Sequence, residues 1–332
     1  MIDVYGRWNS SNLGDRWQGP AVAPILAAAG LEWRAFTYRG RTQTLERPGL
    51  GAFDVLDPRK RKRSSRTALA LTGSLSVGSD STATLRALVG GTGPDELERL
   101  VIWGGIQDAY LLRSDHARGA WAWLGDERVT VLVRSCWERW VLQRLAGRGS
   151  RSRMIVGGDP MALWCSEHGD PLGVKGGPTV AVVSRYCLER HPARWERELR
   201  RCARVGVLAM TTDGRIIAER GYTAIRTPED FRGFVAGAGC LLGGRLHAAI
   251  LGACLGVPTL GIPWDGRPLG AGSSKTIAIG MTGRPGWLPV YPVRRPEDAM
   301  PWAPHGWRHE PAAAYRRLSH ETARALPALL GG

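Results

Sequence analysis

The sequence predicts an α/β fold of two Rossmann-like domains facing a cleft, and three observations carry that expectation. Short apolar runs of strand length alternate with helix-length amphipathic runs in both halves of the chain. Several of the apolar runs close on glycine pairs or polar corners, where a turn from strand to helix belongs. A stretch rich in Gly, Pro and Asp, from about Cys165 to Gly177, separates the halves. The expected boundaries are 1–170 for an N-terminal domain and 175–332 for a C-terminal domain that ends in a helix. No internal repeat of about 20 to 50 residues points to a solenoid or propeller.

The first half reads in order as follows. Ile2-Asp3-Val4-Tyr5 is a strand, and Gly6 to Asp15 is a turn-rich loop before an apolar helix from about Gly19 to Ala29. Strand, glycine loop and helix make a Rossmann-like opening, but the loop lacks G-x-G-x-x-G, so no dinucleotide fingerprint is present. Trp33 to Tyr38 and Phe53 to Leu56 read as strands, and Ala68 to Ser74 as a strand and turn. Leu100 to Gly105 is an apolar strand ending in a double glycine, with Asp108 shortly after. Val129 to Arg134 is a strand, Trp137 to Leu145 an amphipathic helix, and Met154 to Pro160 a strand ending in a turn.

The second half opens with the buried-type strand Thr179 to Ser184, followed by Arg185. A basic helix from Ala193 to Arg204, a strand from Val205 to Met210 and a short helix from Pro228 to Ala236 come next. Then comes the stretch around which the chain is organised, Gly239 to Pro263. Cys240-Leu241-Leu242 is a strand, Gly243 and Gly244 form a corner, and a helix starts near Arg245. Gly256 stops that helix, and Val257 to Ile262 is the next strand. Lys275 to Met281 reads as helical, Trp287 to Tyr291 as an edge strand, and Ala312 to Leu330 as a terminal helix.

The Gly-Gly corner lets an anion approach the backbone closely, because glycine carries no Cβ. Arg245 and His247 fall in the first helical turn, where unpaired N–H groups and the positive end of the dipole favour negative charge. First-turn Arg and His also occur as plain surface residues, so geometry alone leaves both readings open. The same holds for Asn12 and Asp15, which can cap a helix or serve a site.

Composition narrows the classes. The chain has 332 residues, 43% hydrophobic and 23% charged, which suits two globular domains and excludes disorder. Its most apolar run, Ala248 to Ile262, is too short to span a bilayer and contains Pro258. The start Met-Ile-Asp-Val-Tyr carries no signal-peptide pattern, and no transmembrane segment is expected. Six scattered cysteines include no C-x-x-C pair, which suits a reducing cytoplasm and argues against a zinc ribbon. No histidine has a partner at metal-ligand spacing, so no metal is expected. The net charge of +15, almost all from arginine, attracts phosphorylated substrates, nucleic acid or anionic lipid. Arg59 to Arg63 is the densest cluster. It reads as a solvated loop or as a peripheral contact with anionic lipid or nucleic acid.

The segment Gly244-Arg245-Leu246-His247, the apolar helix and Gly256-Val257-Pro258 resemble the signature of the polysaccharide pyruvyl transferase family. Asn12-Leu13-Gly14-Asp15 after the first strand, Arg185 after an apolar strand and Asp159-Pro160 are similar to further family positions. The resemblance implies a GT-B-like pair of domains and transfer of pyruvate from phosphoenolpyruvate to a sugar or glycan acceptor, forming a ketal. It implies no cofactor beyond that donor substrate. Arg245 and Arg185 would clamp the donor carboxylate or phosphate, which suit planar, permanently charged guanidiniums. Leu246 would offer its backbone N–H, and Gly244 stands where the family commonly has serine. His247 would be the general acid. Asp108, or failing it Asp15, would serve the acceptor hydroxyl. Lys275 would match a family lysine, with Arg267 as its rival.

Two other classes remain open. A GT-B glycosyltransferase would hold a nucleotide-sugar diphosphate at the same helix N-terminus. An Arg-rich nucleic-acid-associated protein would use the charge without catalysis, although no recognised binding motif accompanies it.

Overall fold

The computed structural model describes residues 1–10, 12–38, 40–47, 49–58, 66–75, 80–90, 97–106, 121–168, 180–183, 203–208, 223–243, 246–261, 290–292 and 310–331. The described residues form an α/β protein with two sheets, and the chain divides into two compact units. The first comprises Met1–Ser10, Asp15–Pro160 and Leu318–Gly332; the second comprises Ser11–Gly14 and Met161–Arg317.

The first unit is built on an eight-stranded sheet. In chain order its strands are β1 (Ile2–Gly6), β2 (Trp33–Thr37), β3 (Gln43–Arg47), β4 (Gly51–Leu56), β5 (Thr67–Leu75), β6 (Arg99–Ile106), β7 (Val129–Val133) and β8 (Arg153–Val156). Across the sheet they lie in the order β3-β4-β2-β1-β5-β6-β7-β8. Every pairing is parallel except β3 with β4, an antiparallel hairpin that runs Gln43 against Val55 and Arg47 against Gly51. Alternate residues of β5, β6 and β7 face opposite sides of the sheet. Ala68, Ala70, Leu100, Ile102, Val129 and Val131 join a cluster with helix α2 (Asp80–Val89) and helix α3 (Cys136–Ala146). The intervening Leu69, Val101 and Leu132 are buried as well. Burial on both faces is why these strands read as continuous apolar runs.

Helix α1 (Leu13–Ala28) begins earlier than the sequence suggests. Asn12 to Asp15 reads as turn chemistry, yet Leu13 is buried and Asp15 lies in the first turn, where its carboxylate complements the positive helix end. Further along α1, Gly19 lies against the buried Trp8 ring, which a side chain at position 19 would strike.

The second unit holds a six-stranded sheet, every pairing parallel. Its strands are β9 (Val180–Val183), β10 (Ala203–Leu208), β11 (Thr223–Ile225), β12 (Cys240–Gly243), β13 (Thr259–Gly261) and β14 (Val290–Pro292). The order is β11-β10-β9-β12-β13-β14. β10 starts at Ala203, so Ala203 and Arg204 are strand residues and not the end of the expected helix; residues 193–202 lie outside those described.

Helix α4 (Pro228–Val235) starts with a full capping box. Thr227 Oγ1 accepts from Asp230 N at 3.0 Å, and Asp230 Oδ2 accepts from Thr227 N at 3.0 Å. Helix α5 (Leu246–Cys254) is buried along its whole length. It ends in a Schellman motif: Val257 N donates to Gly252 O at 3.0 Å, Gly256 N to Ala253 O at 2.9 Å, and Gly256 takes φ +82. Arg316, on the terminal helix α6 (Glu310–Gly331), donates to Cys254 O and places a cation at the negative end of α5.

Candidate functional site

In the second unit the chain lays β9, β10 and β11 outward in one direction, then returns to lay β12, β13 and β14 in the other. Counted from β9, the strand order is 3-2-1-4-5-6. β9 and β12 are therefore the neighbours at which the order reverses, and in open α/β sheets ligands bind outside the carboxyl ends of strands at that point. The register sets the two ends level, Leu242 beside Val182 and Gly243 beside Val183. Two residues beyond Val183 the sequence places Arg185, and two residues beyond Gly243 it places Arg245. Arg185, Gly244 and Arg245 themselves lie outside the described residues, as do Asp108, Lys275 and Arg59 to Arg63.

Leu246 and His247 are the first two residues of α5 and are 8% and 4% exposed. The helix is short and apolar, and Gly252 lets it lie directly against the sheet: a Cβ there would strike Leu241 and crowd Thr259. That close seating fixes the N-terminal turn at the end of β12. The His247 ring packs against the backbone of Gly14, which also belongs to the second unit. A Cβ on Gly14 would collide with the imidazole.

In the first unit the order reverses between β1 and β5. Asp15, 8% exposed, lies 3.6 Å from Arg7 Nη1, and Arg7 directly follows β1. The Tyr38 hydroxyl donates to Leu71 O at 3.2 Å. Burial pushes the Tyr38 phenol well above its ordinary range; the Arg7 charge pulls it back, and Tyr5 and Asp15 push it further up. The sequence offers Asp15 as a candidate but neither Arg7 nor Tyr38, because nothing in their spacing links three separate segments.

A second polar group closes the carboxyl ends of β6, β7 and β8. Arg134 is fully buried; its Nη2 lies 2.6 Å from Glu138 Oε1, and its Nη1 lies 3.8 Å from Asp159 Oδ2. Glu138 also accepts from Arg134 N at 3.0 Å, and Ser135 Oγ accepts from Glu138 N at 3.2 Å. Gly105 leaves room for the guanidinium, and Asp159 N donates to Ser319 Oγ at 3.3 Å. Among the described residues no group of three or more His, Cys, Asp or Glu could hold a metal ion. Cys240 is a core thiol, pushed up to about 11 by burial.

Residues 149–266 match the family model for polysaccharide pyruvyl transferase. The polysaccharide pyruvyl transferase domain thus found spans β8 to β13, including both strands at the reversal and the whole of α5. Arg185, Gly244, Arg245, Leu246 and His247 fall inside the matched segment, and Asp15, Asp108 and Lys275 fall outside it. A transferase is what that family's description names. No curated protein matches the chain significantly. No helix among the described residues is long and apolar enough to cross a membrane.

Proposed function

We propose that this protein transfers the pyruvyl group of phosphoenolpyruvate to two hydroxyls of a sugar-containing acceptor, forming a cyclic ketal and releasing phosphate. The observation that carries the proposal is the level pair of strand ends at the reversal of the second sheet. Both ends are followed by an arginine, one of them by His247 as well, and all lie inside the matched segment.

The donor carries a carboxylate and a phosphate. Arg185 and Arg245 clamp these groups, with Lys275 as a further cation and the Leu246 N–H as a donor at the helix start. Gly244 lets the anion approach the backbone. His247 delivers a proton to the enol methylene, which becomes a methyl group, and C2 takes on oxocarbenium character. One acceptor hydroxyl adds to C2 and loses its proton to Asp108 or, failing it, Asp15. The phosphate leaves C2 with its bonding electrons, and the second hydroxyl adds to C2, closing the ketal as its proton passes to the departing phosphate. No cofactor takes part. A GT-B-like, Rossmann-like pair of domains, a cytoplasmic site of action, and contact of Arg59 to Arg63 with anionic lipid or nucleic acid belong to the same proposal.

Release of phosphate from phosphoenolpyruvate, dependent on added glycan, tests the reading. His247→Gln should lower kcat by about 10²- to 10⁴-fold while the donor KM changes little. Phosphate release at the wild-type rate by His247→Gln would remove the general acid from the mechanism. Consumption of a nucleotide sugar in place of phosphoenolpyruvate would overturn the proposal.

A further inference from the structure

Gly14 sits in the first turn of α1, and its φ is not in the positive range that only glycine tolerates well. An ordinary helical position is where glycine is the poorest choice short of proline. The backbone therefore gives no reason for a glycine here, and the reason lies in what faces it. A Cβ at position 14 would fall on the His247 side chain, closest to Nδ1, next to Cγ and then to Cβ of that histidine. Because the collision reaches the root of the side chain as well as the ring, rotation of the imidazole alone does not clear it. The Nδ1 edge of His247 thus rests on the bare backbone of Gly14, and Nε2 lies on the opposite edge of the ring. His247 is itself held in the first turn of a buried helix.

We propose that Gly14 is a positioning residue for His247: its missing side chain seats the Nδ1 edge of the imidazole and leaves Nε2 as the atom that moves the proton. The seat stands on geometry alone; the proton role rests on the pyruvyl transfer reading. The contact also explains why a glycine stands within Asn12-Leu13-Gly14-Asp15, a role that helix capping by Asn12 or Asp15 does not require.

A cycle of four full-length proteins tests it: wild type, Gly14→Ala, His247→Ala and the double variant. Melting temperature reads the seat. Gly14→Ala should lower Tm in the wild-type background, and should leave it unchanged or raise it in the His247→Ala background, where alanine fills vacated space and favours the helix. Turnover reads the positioning. Gly14→Ala should lower kcat by about 10²-fold with little change in donor KM, and should cause no further loss once His247 is gone. Histidine ¹⁵N spectra of the wild type, with His247 assigned by its loss in His247→Ala, should show the larger response to phosphoenolpyruvate at Nε2. An equal Tm loss in both backgrounds would overturn the seat. A coupled Tm with unchanged kcat in Gly14→Ala would overturn the positioning role, and a response confined to Nδ1 would overturn the choice of Nε2. A coupled Tm in a wild type inert to phosphoenolpyruvate would uphold the seat and overturn the pyruvyl reading alone.

Discussion

Arg134 shows what a single buried charge commits a fold to. It has no solvent access, and its guanidinium is held between Glu138 and Asp159 against the bare backbone of Gly105. Removing one member of such a group strands the others in a low-dielectric interior. Arg134→Met should therefore cost about 3–5 kcal/mol, read as a fall in the urea midpoint of the intact chain. A cost below about 1 kcal/mol would mean that the carboxylates find solvent or another cation. At this scale the sequence was legible only where one residue carries its own context. His247 could be named because the first turn of a helix after a strand is a position with a physical meaning. Its seat on Gly14 could not, because that contact joins distant segments and leaves no spacing to read. Arg134 is visible only as the end of one strand, and Asp159 as the turn after another and part of an Asp-Pro pair similar to a family position.

Helices and strands were legible in proportion to their burial. β1, β6, β12 and α5 are largely apolar and close on glycine, β7 is an apolar run that ends at Arg134, and the expected spans lie close to those observed. β3 was missed because Gln43-Thr44-Leu45-Glu46-Arg47 is polar and half exposed; only pairing with β4 makes it a strand. α1 was entered late because Asn, Gly and Asp read as a turn when the packing of Leu13 and the seating of His247 are out of view. Helix α4 illustrates the opposite case, in which local chemistry is sufficient. Its Thr227–Asp230 box satisfies the first backbone donors, so Thr227→Ala should cost about 0.5–2 kcal/mol. Gly233, inside the same helix with nothing near its absent Cβ, should give back about 0.5–1 kcal/mol when changed to alanine. Thermal or denaturant melts of the two variants check both signs.

For the molecule as a whole, alternation of strands and helices announced the α/β class, and the two sheets carry it out. What alternation cannot supply is strand order, because crossovers are set by long-range packing. That order is what the proposed donor site rests on. Only the reversal between β9 and β12 makes Arg185 and Arg245 sequels to adjacent strand ends, since the sequence alone leaves them far apart. The net charge of +15 fits a small donor with two anionic groups but does not select it over a nucleotide. Titration calorimetry of the full chain with phosphoenolpyruvate, beside Arg245→Ala, His247→Ala and a uridine diphosphate control, tests the central claim most directly. The expected result is binding of phosphoenolpyruvate that Arg245→Ala abolishes and His247→Ala largely keeps, with no comparable uptake of the nucleotide. Clear binding of uridine diphosphate without binding of phosphoenolpyruvate would contradict it.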